Sequence, residues 1–485
     1  MDDLFQINQA DNVAVALKPI VSGTEMLGFR VQESILAGHK VALNNIPLGG
    51  DVVKHGFPIG KAAADIPAGG YVHTHNVETR AETDTEYRYQ PAAQSSFEKK
   101  TGSIWGYMRS DGSYGIRNEV WIVNTVGCVN KVSERIADEA NKRYAGRVDG
   151  IYAVTHSLGC QLGSDYEATR RILTGLVRHP NAGGILVLGL GCESNGMEAF
   201  QKLLGDYDPE RVKFLVAQEH EDEEKAAMEL IEGLILYAGK AKRCEFGLDK
   251  LVIGLKCGGS DRFSSVTANP LVGCVADTLR AYGGTAILTE TPEMFGAEQV
   301  LMNRCQTPAL FEKTVGLAEK YKAYYNRYGQ GVCQNSSPGN ESGVTTQEEK
   351  SLGYIQKGGS GAVTDVLGYG ERACLPGLTL LDAPPDDLIS MTALTAAGAH
   401  IILFTTGRGT PAGAFVPTIK IASNPALAAK KAKWIDFNAG ALLDGTPMEK
   451  LAEDLWYSIL TVAEGRMNTK NELYGGREIA ILKTE

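Results

Sequence analysis

The stretch "VWIVNTVGC", residues 120–128, decides the fold of the middle of the chain. It is an apolar run of strand length that ends in Gly-Cys, and the pattern returns as "IYAVTHSLGC", residues 151–160, and "ILVLGLGC", residues 185–192. Helical patterns fill the intervals at residues 129–144 and 164–179. A strand, a turn and a helix within about 30 residues form the repeating unit of a parallel β-sheet. We therefore predict an α/β domain with a parallel sheet in this region.

A similar pattern resumes toward the end of the chain. Apolar runs such as "LVIGLKC", residues 251–257, and "HIILFTT", residues 400–406, alternate with helical and Gly-rich pieces, which predicts a second α/β domain. Within it, residues 331–361 carry too much Gly, Ser and Asn for regular structure. Long irregular loops in compact domains are usually functional, so we expect this loop to be functional as well.

The amino-terminal part of the chain differs from both α/β regions. Its short alternating runs are broken by Gly and Pro, as in "IPLGG", residues 46–50, and predict a small all-β module. A polar stretch of linker composition follows it. The predicted fold class is therefore multidomain α/β, with a small β module at 1–80, a linker at 81–104, and α/β domains at 105–245 and 246–485.

Composition narrows the class of protein. The formal net charge is -10, which argues against nucleic acid as a partner. No apolar run approaches the roughly 20 residues of a membrane helix, so we expect no membrane partner. The acidic start, "MDDLFQINQADN", lacks the basic and apolar runs of a secretory signal, and an odd number of cysteines, 9, suggests free thiols in a reducing compartment. We expect a cytoplasmic protein.

Cysteine residues stand where the predicted strands end. Cys128, Cys160, Cys192 and Cys257 each close an apolar run. Ligands of open parallel sheets bind outside the carboxyl ends of the strands, and thiolates there can bind iron, alone or as an iron–sulfur cluster. The alternative is that each cysteine packs as a small apolar side chain beside a tight turn. The sequence leaves both interpretations open.

A second candidate metal site lies in "YVHTHNVET", residues 71–79. If this stretch is a strand, His73 and His75 point to the same face, where two imidazoles can hold one cation. The alternative is that both histidines only form hydrogen bonds with the backbone. The spacing alone does not decide between a metal site and a structural pair.

Polar side chains next to these motifs are further candidates. His156 precedes Cys160 by four residues, where it can serve as a general base or metal ligand, or be a structural histidine. Glu193 follows Cys192 directly, and Lys357 stands in the Gly-rich stretch "QKGGSG". We treat His156 and Lys357 as the candidate catalytic residues.

Two Gly-rich turns are candidate anion sites. "CGGSD" contains Ser260 and Asp261, and "TGRGTP" contains Arg408 and Thr410. Backbone N–H groups in such turns and a guanidinium both suit a carboxylate. Arg408 is also explained as a surface arginine paired with a neighbouring acid. The substrate-binding candidates include these four residues together with Glu193.

The motifs together resemble the altronate dehydratase and galactarate dehydratase family across essentially the whole chain. They are, in order, "HTHN", "TVGCVN", "RHPNAG", "GLGCE", "CGGSD", "TANP", "PEMFGAEQ", "SPGN", "TGRGTP" and "WIDFNAG". The resemblance implies a β-clip (SAF-like) amino-terminal domain, a second domain used in dimerisation, and a Rossmann-like last domain. It also implies a homodimer and iron(II)-dependent dehydration of a small sugar acid.

The implied chemistry agrees with the candidate residues. Dehydration removes the proton next to a carboxylate, builds an enolate-like charge and expels the neighbouring hydroxyl, giving a 2-keto-3-deoxy acid. A divalent metal, iron(II) or a substitute, stabilises that charge. The resemblance places the metal on His73 and His75, while strand-end position adds the four cysteines. Asn76 is expected to orient a ligand or a substrate hydroxyl.

Alternatives remain for the substrate and for the class of protein. Within the family, the chain most resembles the members that act on altronate. The stretches that carry this resemblance are "ANPLVG", "TETPEMFGAEQVLM" and "YGERACLPGLTLL". Galactarate dehydration or sulfolactate cleavage within the same family is the first alternative. From other classes, an iron–sulfur redox or sensor protein, or a sugar-acid-binding module without catalysis, also fits some of these residues.

Overall fold

The structure is a computed structural model that describes residues 3–79, 86–92, 97–327 and 343–483. Parts of the predicted linker, and the portion of the predicted functional loop that contains "SPGN", lie outside the described residues. The described part of that loop includes a helix at Gln347–Ile355, so the expectation that residues 331–361 lack regular structure is wrong there. No helix in the described ranges is long and apolar enough to cross a membrane.

The amino-terminal domain consists of short antiparallel strands, as predicted. One sheet has the order β1-β2-β5-β8, a second has the order β6-β7-β9, and β3 pairs with β4. The strands are β1 (Leu4–Phe5), β2 (Val13–Ala16), β3 (Glu25–Met26), β4 (Phe29–Arg30), β5 (Lys40–Ala42), β6 (Asp51–Lys54), β7 (Phe57–Ala62), β8 (Tyr71–Val72) and β9 (Val77–Glu78).

The middle domain contains the predicted parallel sheet, with the order β13-β12-β14-β15, and a small antiparallel sheet, β11-β10-β16. Its strands are β10 (Ser103–Met108), β11 (Tyr114–Gly115), β12 (Glu119–Asn124), β13 (Ile151–Val154), β14 (Ala182–Gly189), β15 (Val212–Val216) and β16 (Arg243–Gly247). Its helices are α1 (Asn130–Arg143), α2 (Tyr166–Val177), α3 (Met197–Leu204) and α4 (Glu223–Ala238). The three strands that precede the Gly-Cys turns are neighbours in this sheet.

The last domain is built on a parallel sheet of order β19-β20-β18-β17-β21-β22-β23. Its strands are β17 (Val252–Cys257), β18 (Thr285–Leu288), β19 (Val363–Leu367), β20 (Gly377–Leu381), β21 (Ile401–Thr406), β22 (Thr418–Ala422) and β23 (Phe437–Asn438). Its helices are α5 (Ala268–Ala281), α6 (Glu298–Met302), α7 (Pro308–Arg327), α8 (Gln347–Ile355), α9 (Asp387–Ala396), α10 (Pro425–Lys430), α11 (Met448–Ala463) and α12 (Lys470–Leu473).

Two interfaces join the domains. The β-domain packs through β7 on α8, and its buried Val52 and Ile59 belong to the same apolar cluster as Leu352 of α8. The middle domain packs through α2 on α9, and the Trp121 ring meets the Phe415 ring edge-on with centroids 5.0 Å apart. The first interface places β-domain side chains beside the carboxyl end of the large sheet.

Candidate active site

The two histidines of "HTH" do not share a strand face, so that expectation is wrong. Strand β8 ends at Val72, and residues 73–76 form a turn. His73 is buried and His75 is exposed, because a turn does not alternate its side chains as a strand does. Asn76 stabilises the turn: its Oδ1 accepts from His73 N at 3.0 Å, and its Nδ2 donates to Tyr71 O at 2.8 Å.

The partner of His73 is His39, which the sequence analysis missed. The two rings are stacked with centroids 5.1 Å apart and planes at 17°. His39 Nδ1 lies 2.5 Å from the Tyr71 hydroxyl, and His73 Nδ1 lies 2.9 Å from the Thr74 hydroxyl. Within the described ranges, neither buried Nε2 atom has a hydrogen-bond partner. The pair therefore offers two unsatisfied ring nitrogens.

Both imidazoles are neutral at ordinary pH. Burial, assisted by the neighbouring His73 and Lys40, lowers the pKa of His39 to about 4. Burial is also the main cause that lowers the pKa of His73. A neutral imidazole whose Nδ1–H donates to an oxygen keeps its lone pair on Nε2, which is the form that ligates metals. The donor set of His39 and His73 thus fits a divalent cation.

A buried ion triad lies next to this pair and joins two domains. The Glu349 carboxylate accepts from Lys40 Nζ at 2.9 Å and from Lys54 Nζ at 2.7 Å. It also accepts from the backbone N–H and the hydroxyl of Thr345, at 2.8 Å and 2.7 Å. Burial opposes ionisation of Glu349, but the two ammonium groups outweigh it and hold the pKa of this carboxyl far below its usual range. The triad keeps the β-domain closed on α8.

A crevice opens at the carboxyl end of β17, beside α8. Strand β17 has β18 on one side and β21 on the other. The strands that follow β17 are first added on the β18 side and later on the β21 side, so the strand order switches at β17. Such switch points are where open α/β sheets bind ligands. The crevice is lined by Cys257, Ser260, Asp261, Ser264, Ser265, Asn269, Glu293, Val344, Glu349, Lys350, Gly353 and Tyr354. Glu349 therefore connects the β-domain triad to this crevice.

Arg262 is a second residue that the sequence analysis missed. It directly follows "CGGSD", and its side chain lies over Gly38, which has a φ of +80°. A Cβ at position 38 would lie 2.5 Å from Arg262 Cδ, so only glycine permits this approach. The guanidinium charge is near enough to His39 to contribute to its lowered pKa. Arg262 thus brings a cation to the histidine pair.

The two Gly-rich turns lie side by side, at the ends of neighbouring strands. Gly258 N donates to Thr405 O and Gly407 N donates to Gly259 O, each at 3.0 Å. The Asp261 carboxylate accepts from the Ser264 hydroxyl at 2.8 Å, the Ser423 hydroxyl at 2.6 Å and Asn424 Nδ2 at 2.9 Å. Asp261 therefore holds its turn in place, and its oxygens are already occupied.

The remaining predicted residues of these turns differ in exposure. Ser260 lines the crevice. Arg408 is exposed and packs beside Gly259, while Thr410 is half-buried and accepts from Ala412 N at 3.3 Å. Arg408 stays a candidate for anion binding.

Lys357 is fully buried behind the crevice. Its Nζ lies 3.5 Å from the centroid of the Tyr354 ring, and no oxygen or nitrogen of the described residues accepts from it. Burial lowers the pKa of Lys357, although the nearby Cys257 and Glu290 partly oppose the shift. Burial also raises the pKa of Cys257 to about 11. An amine with a lowered pKa beside a ligand crevice is suited to general base catalysis.

His156 and Glu193 are placed away from this crevice and do not support the predicted chemistry. His156 Nδ1 accepts from Leu158 N at 3.2 Å, and its Nε2 lies 3.0 Å from Asn124 O. Because both ring nitrogens are used, His156 positions its loop and has no free atom to act as a base. The Glu193 carboxylate accepts from the Thr125 hydroxyl at 2.7 Å and from Gly191 N at 2.6 Å, which likewise stabilises a turn.

The structure brings three of the four predicted cysteines together. Cys128 Sγ lies 3.5 Å from Cys160 Sγ, and Cys160 also neighbours Cys192. Cys257 is buried in another sheet, beside Lys357, so its predicted grouping with the other three is wrong. Among the described side chains, no group of three or more His, Cys, Asp or Glu is arranged to hold a single metal ion.

The fold and the crevice together define a class of protein. It is a multidomain α/β protein in which a small β-domain brings buried histidines and lysines to the switch point of a parallel sheet. Three family models match consecutive parts of the chain. They are the altronate/galactarate dehydratase SAF domain at residues 2–80, the D-galactarate dehydratase/altronate hydrolase second domain at 106–239, and the D-galactarate/altronate dehydratase C-terminal domain at 248–485.

Full-length relatives agree with the domain matches. The chain is 47% identical to altronate dehydratase of Escherichia coli (strain K12), over 99% of either chain. It is 44% identical to altronate dehydratase of Bacillus subtilis (strain 168), over 100% of this chain and 99% of that one. It is 31% identical to galactarate dehydratase (L-threo-forming) of E. coli K12, over 97% and 94%. The chain therefore belongs to the altronate and galactarate dehydratase family.

Proposed function

We propose that this protein is a hydro-lyase that dehydrates a sugar acid, and that its substrate is D-altronate. The product is then 2-keto-3-deoxy-D-gluconate plus water. The observation that carries the proposal is the His39 and His73 pair, whose Nε2 atoms are unpartnered. The charges of Lys40, Arg262 and Glu349 lie close to His39, and Glu349 also lines the crevice. The substrate follows from the relatives, because those named altronate dehydratase are 44% and 47% identical and the one named galactarate dehydratase is 31% identical.

The cations near the crevice suit a substrate carboxylate. Arg262 lies beside His39, and Lys350 lines the crevice, paired with Glu293 at 2.7 Å. A planar guanidinium presents two parallel donors to a carboxylate, so Arg262 is the proposed clamp. Exposed Arg408 is the second candidate, and galactarate, with its second carboxylate, would require both.

Lys357 is the proposed base for the proton next to the carboxylate. Its position behind Tyr354 and Cys257, which line the crevice, keeps water away from the amine. A neutral amine takes the proton, and the resulting ammonium is stabilised by Glu290 and Glu293, whose charges favour the protonated form.

Iron(II) is the proposed metal, and the residues present fit it. His39 and His73 would hold it through Nε2, with exposed His75 nearby as a further nitrogen ligand. When bound, a divalent metal stabilises negative charge that develops on substrate oxygens. The Tyr71 and Thr74 hydroxyls can accept from the Nδ1 atoms of His39 and His73, and that tautomer leaves both Nε2 lone pairs free for a metal.

An anaerobic assay of the full chain tests the function. Purified protein is loaded with iron(II) and then incubated with one sugar acid at a time: D-altronate, galactarate or another sugar acid. The 2-keto-3-deoxy product of each reaction is measured. Turnover of D-altronate above the other substrates is expected. Preferential turnover of galactarate would change the substrate, and no 2-keto-3-deoxy acid from any sugar acid would refute the dehydratase proposal.

We also propose that the protein works as a homodimer in the cytoplasm. Trp105 and Met108 on β10 and Tyr457 on α11 are 51%, 57% and 63% exposed, and β10 packs on α11. A second copy would cover them. Sedimentation velocity should give a dimer for the wild type and a smaller species for Trp105→Glu.

A further inference from the structure

Cys128, Cys160 and Cys192 converge at one edge of the middle-domain sheet. They follow β12, β13 and β14, which are neighbours in the order β13-β12-β14. The Sγ atoms of Cys128 and Cys160 are 3.5 Å apart, and the Cys192 thiol adjoins Cys160. The repeat of Gly-Cys at equal intervals along the chain is thus also a cluster in space.

Packing does not explain these thiols. Cys128 and Cys192 are exposed, and Cys160 is half-buried. Cys305 shows the alternative behaviour: it is buried, and its thiol lies 3.3 Å from the Thr314 hydroxyl. A cysteine that serves as a small apolar side chain is expected inside, as Cys305 is. Cys374 is also exposed, so what sets Cys128, Cys160 and Cys192 apart is that they are accessible and clustered together.

The loops that carry the thiols are tied to each other. Gly127 N donates to Leu158 O at 2.7 Å, and Ser194 N donates to Cys160 O at 2.8 Å. A Cβ at Gly127 would lie 2.7 Å from the His156 carbonyl oxygen, so the close approach of the first two loops requires glycine. These contacts hold all three cysteines in one place before any ligand binds.

The surroundings favour the anionic form of a ligated thiol. The long helices α1 and α2 begin shortly after Cys128 and Cys160, and helix amino termini carry partial positive charge.

We propose that Cys128, Cys160 and Cys192 are the three protein ligands of a [4Fe–4S] cluster. In such a cluster each thiolate bonds a different iron, so the three sulfurs need not point at a single position. This agrees with the finding that, among the described side chains, no three residues are arranged to hold one metal ion. With the loop backbones held as described, rotation of the cysteine side chains about Cα–Cβ would let each sulfur reach its own iron. The fourth iron has no thiolate from this group and is open to water or to an oxygen ligand. The cluster site does not depend on the proposed dehydratase function.

Anaerobic purification of the full chain tests the cluster. Iron and acid-labile sulfide are measured per chain, with visible absorbance and electron paramagnetic resonance after reduction. The wild type should hold roughly four irons and four sulfides and show a cluster signal. Cys128→Ser, Cys160→Ser and Cys192→Ser should each lose most of the sulfide and the signal, while circular dichroism stays unchanged.

Two matched controls make the result specific. Cys374→Ser, at another exposed cysteine, and His73→Ala, at the other metal candidate, should both keep the sulfide and the signal. Wild-type protein is also reconstituted with iron and sulfide. The proposal would be overturned if the reconstituted protein still held iron without sulfide, held zinc alone, or contained a Cys128–Cys160 disulfide. Retention of the cluster in the three cysteine variants, or its loss in both controls, would overturn it as well.

Discussion

Lys40 Nζ lies 2.9 Å from Glu349 Oε2, and both side chains are almost completely buried, with 0% and 1% exposed. The two residues are 309 positions apart and belong to different domains. A buried carboxylate that holds two ammonium groups links the position of the β-domain to the crevice that Glu349 lines. This ion triad therefore adds to the apolar packing of β7 on α8 in holding the β-domain beside the crevice.

Glu349→Gln should destabilise the protein strongly. The change leaves the ammonium groups of Lys40 and Lys54 buried without a countercharge, which costs about 3–5 kcal/mol in the free energy of unfolding. Asp454→Asn, in the exposed pair with Lys450, is the matched control and should cost about 1 kcal/mol or less. Denaturant unfolding measures both, and equal effects would show that the triad is no stronger than a surface pair.

The same carboxylate predicts a pH dependence. Folding lowers the pKa of Glu349, so its stabilisation is complete above the usual glutamate pKa of about 4.3 and is lost progressively as the pH falls below it. The difference in stability between wild type and Glu349→Gln should therefore be constant near neutral pH and shrink in acid. A difference that grows on acidification would contradict this sign.

His39→Ala and His73→Ala should each abolish turnover and weaken iron(II) binding by at least about tenfold, because each removes a ligand nitrogen. His220→Ala, an exposed histidine of the middle domain, is the control and should have no effect. Calorimetric titration with iron(II) measures metal binding separately from activity. If either variant were fully active at saturating iron(II), that histidine would have a structural role only. His75→Ala should cost less, since His75 is exposed.

Lys357→Met should lower kcat by about 10²–10⁴, the usual contribution of a general base, and leave the fold intact because methionine fills a similar buried volume. Activity of the wild type should rise with pH as Lys357 loses its proton. Because burial lowers the pKa of Lys357, that rise should lie below the ordinary lysine value of about 10.4. If the activity of Lys357→Met still rose with pH over the same range as that of the wild type, the base would be a residue other than Lys357.

Arg262→Lys and Arg408→Lys distinguish the two candidate clamps. Loss of one charge-assisted hydrogen bond is worth about 1.5–3 kcal/mol, so the true clamp should lose roughly tenfold to a hundredfold in kcat/KM for D-altronate. We expect the larger loss at Arg262, beside His39, and a smaller one at exposed Arg408. Steady-state kinetics with both variants decide this, and the reverse order would return the clamp to Arg408.

The sequence by itself determined the parallel sheets and the place of the cysteines within them. Apolar runs of strand length, helical periods between them and Gly-Cys turns are local patterns, and a local pattern survives whatever the chain packs against. For the same reason the β module at the amino terminus was predictable from its short alternating runs. Cys128, Cys160 and Cys192 could be placed at strand ends because each directly follows such a run.

Only the tertiary structure decided which of those residues meet. "HTH" has the spacing of a strand face, yet β8 ends at Val72, and His73 pairs with His39 from the neighbouring strand end. Cys257 ends a strand like the other three cysteines but belongs to a different sheet. Spacing constrains side chains only within one element. Strand order, burial and the pairing of distant charges set the contacts between elements, and those contacts cause the lowered pKa values of His39 and Lys357.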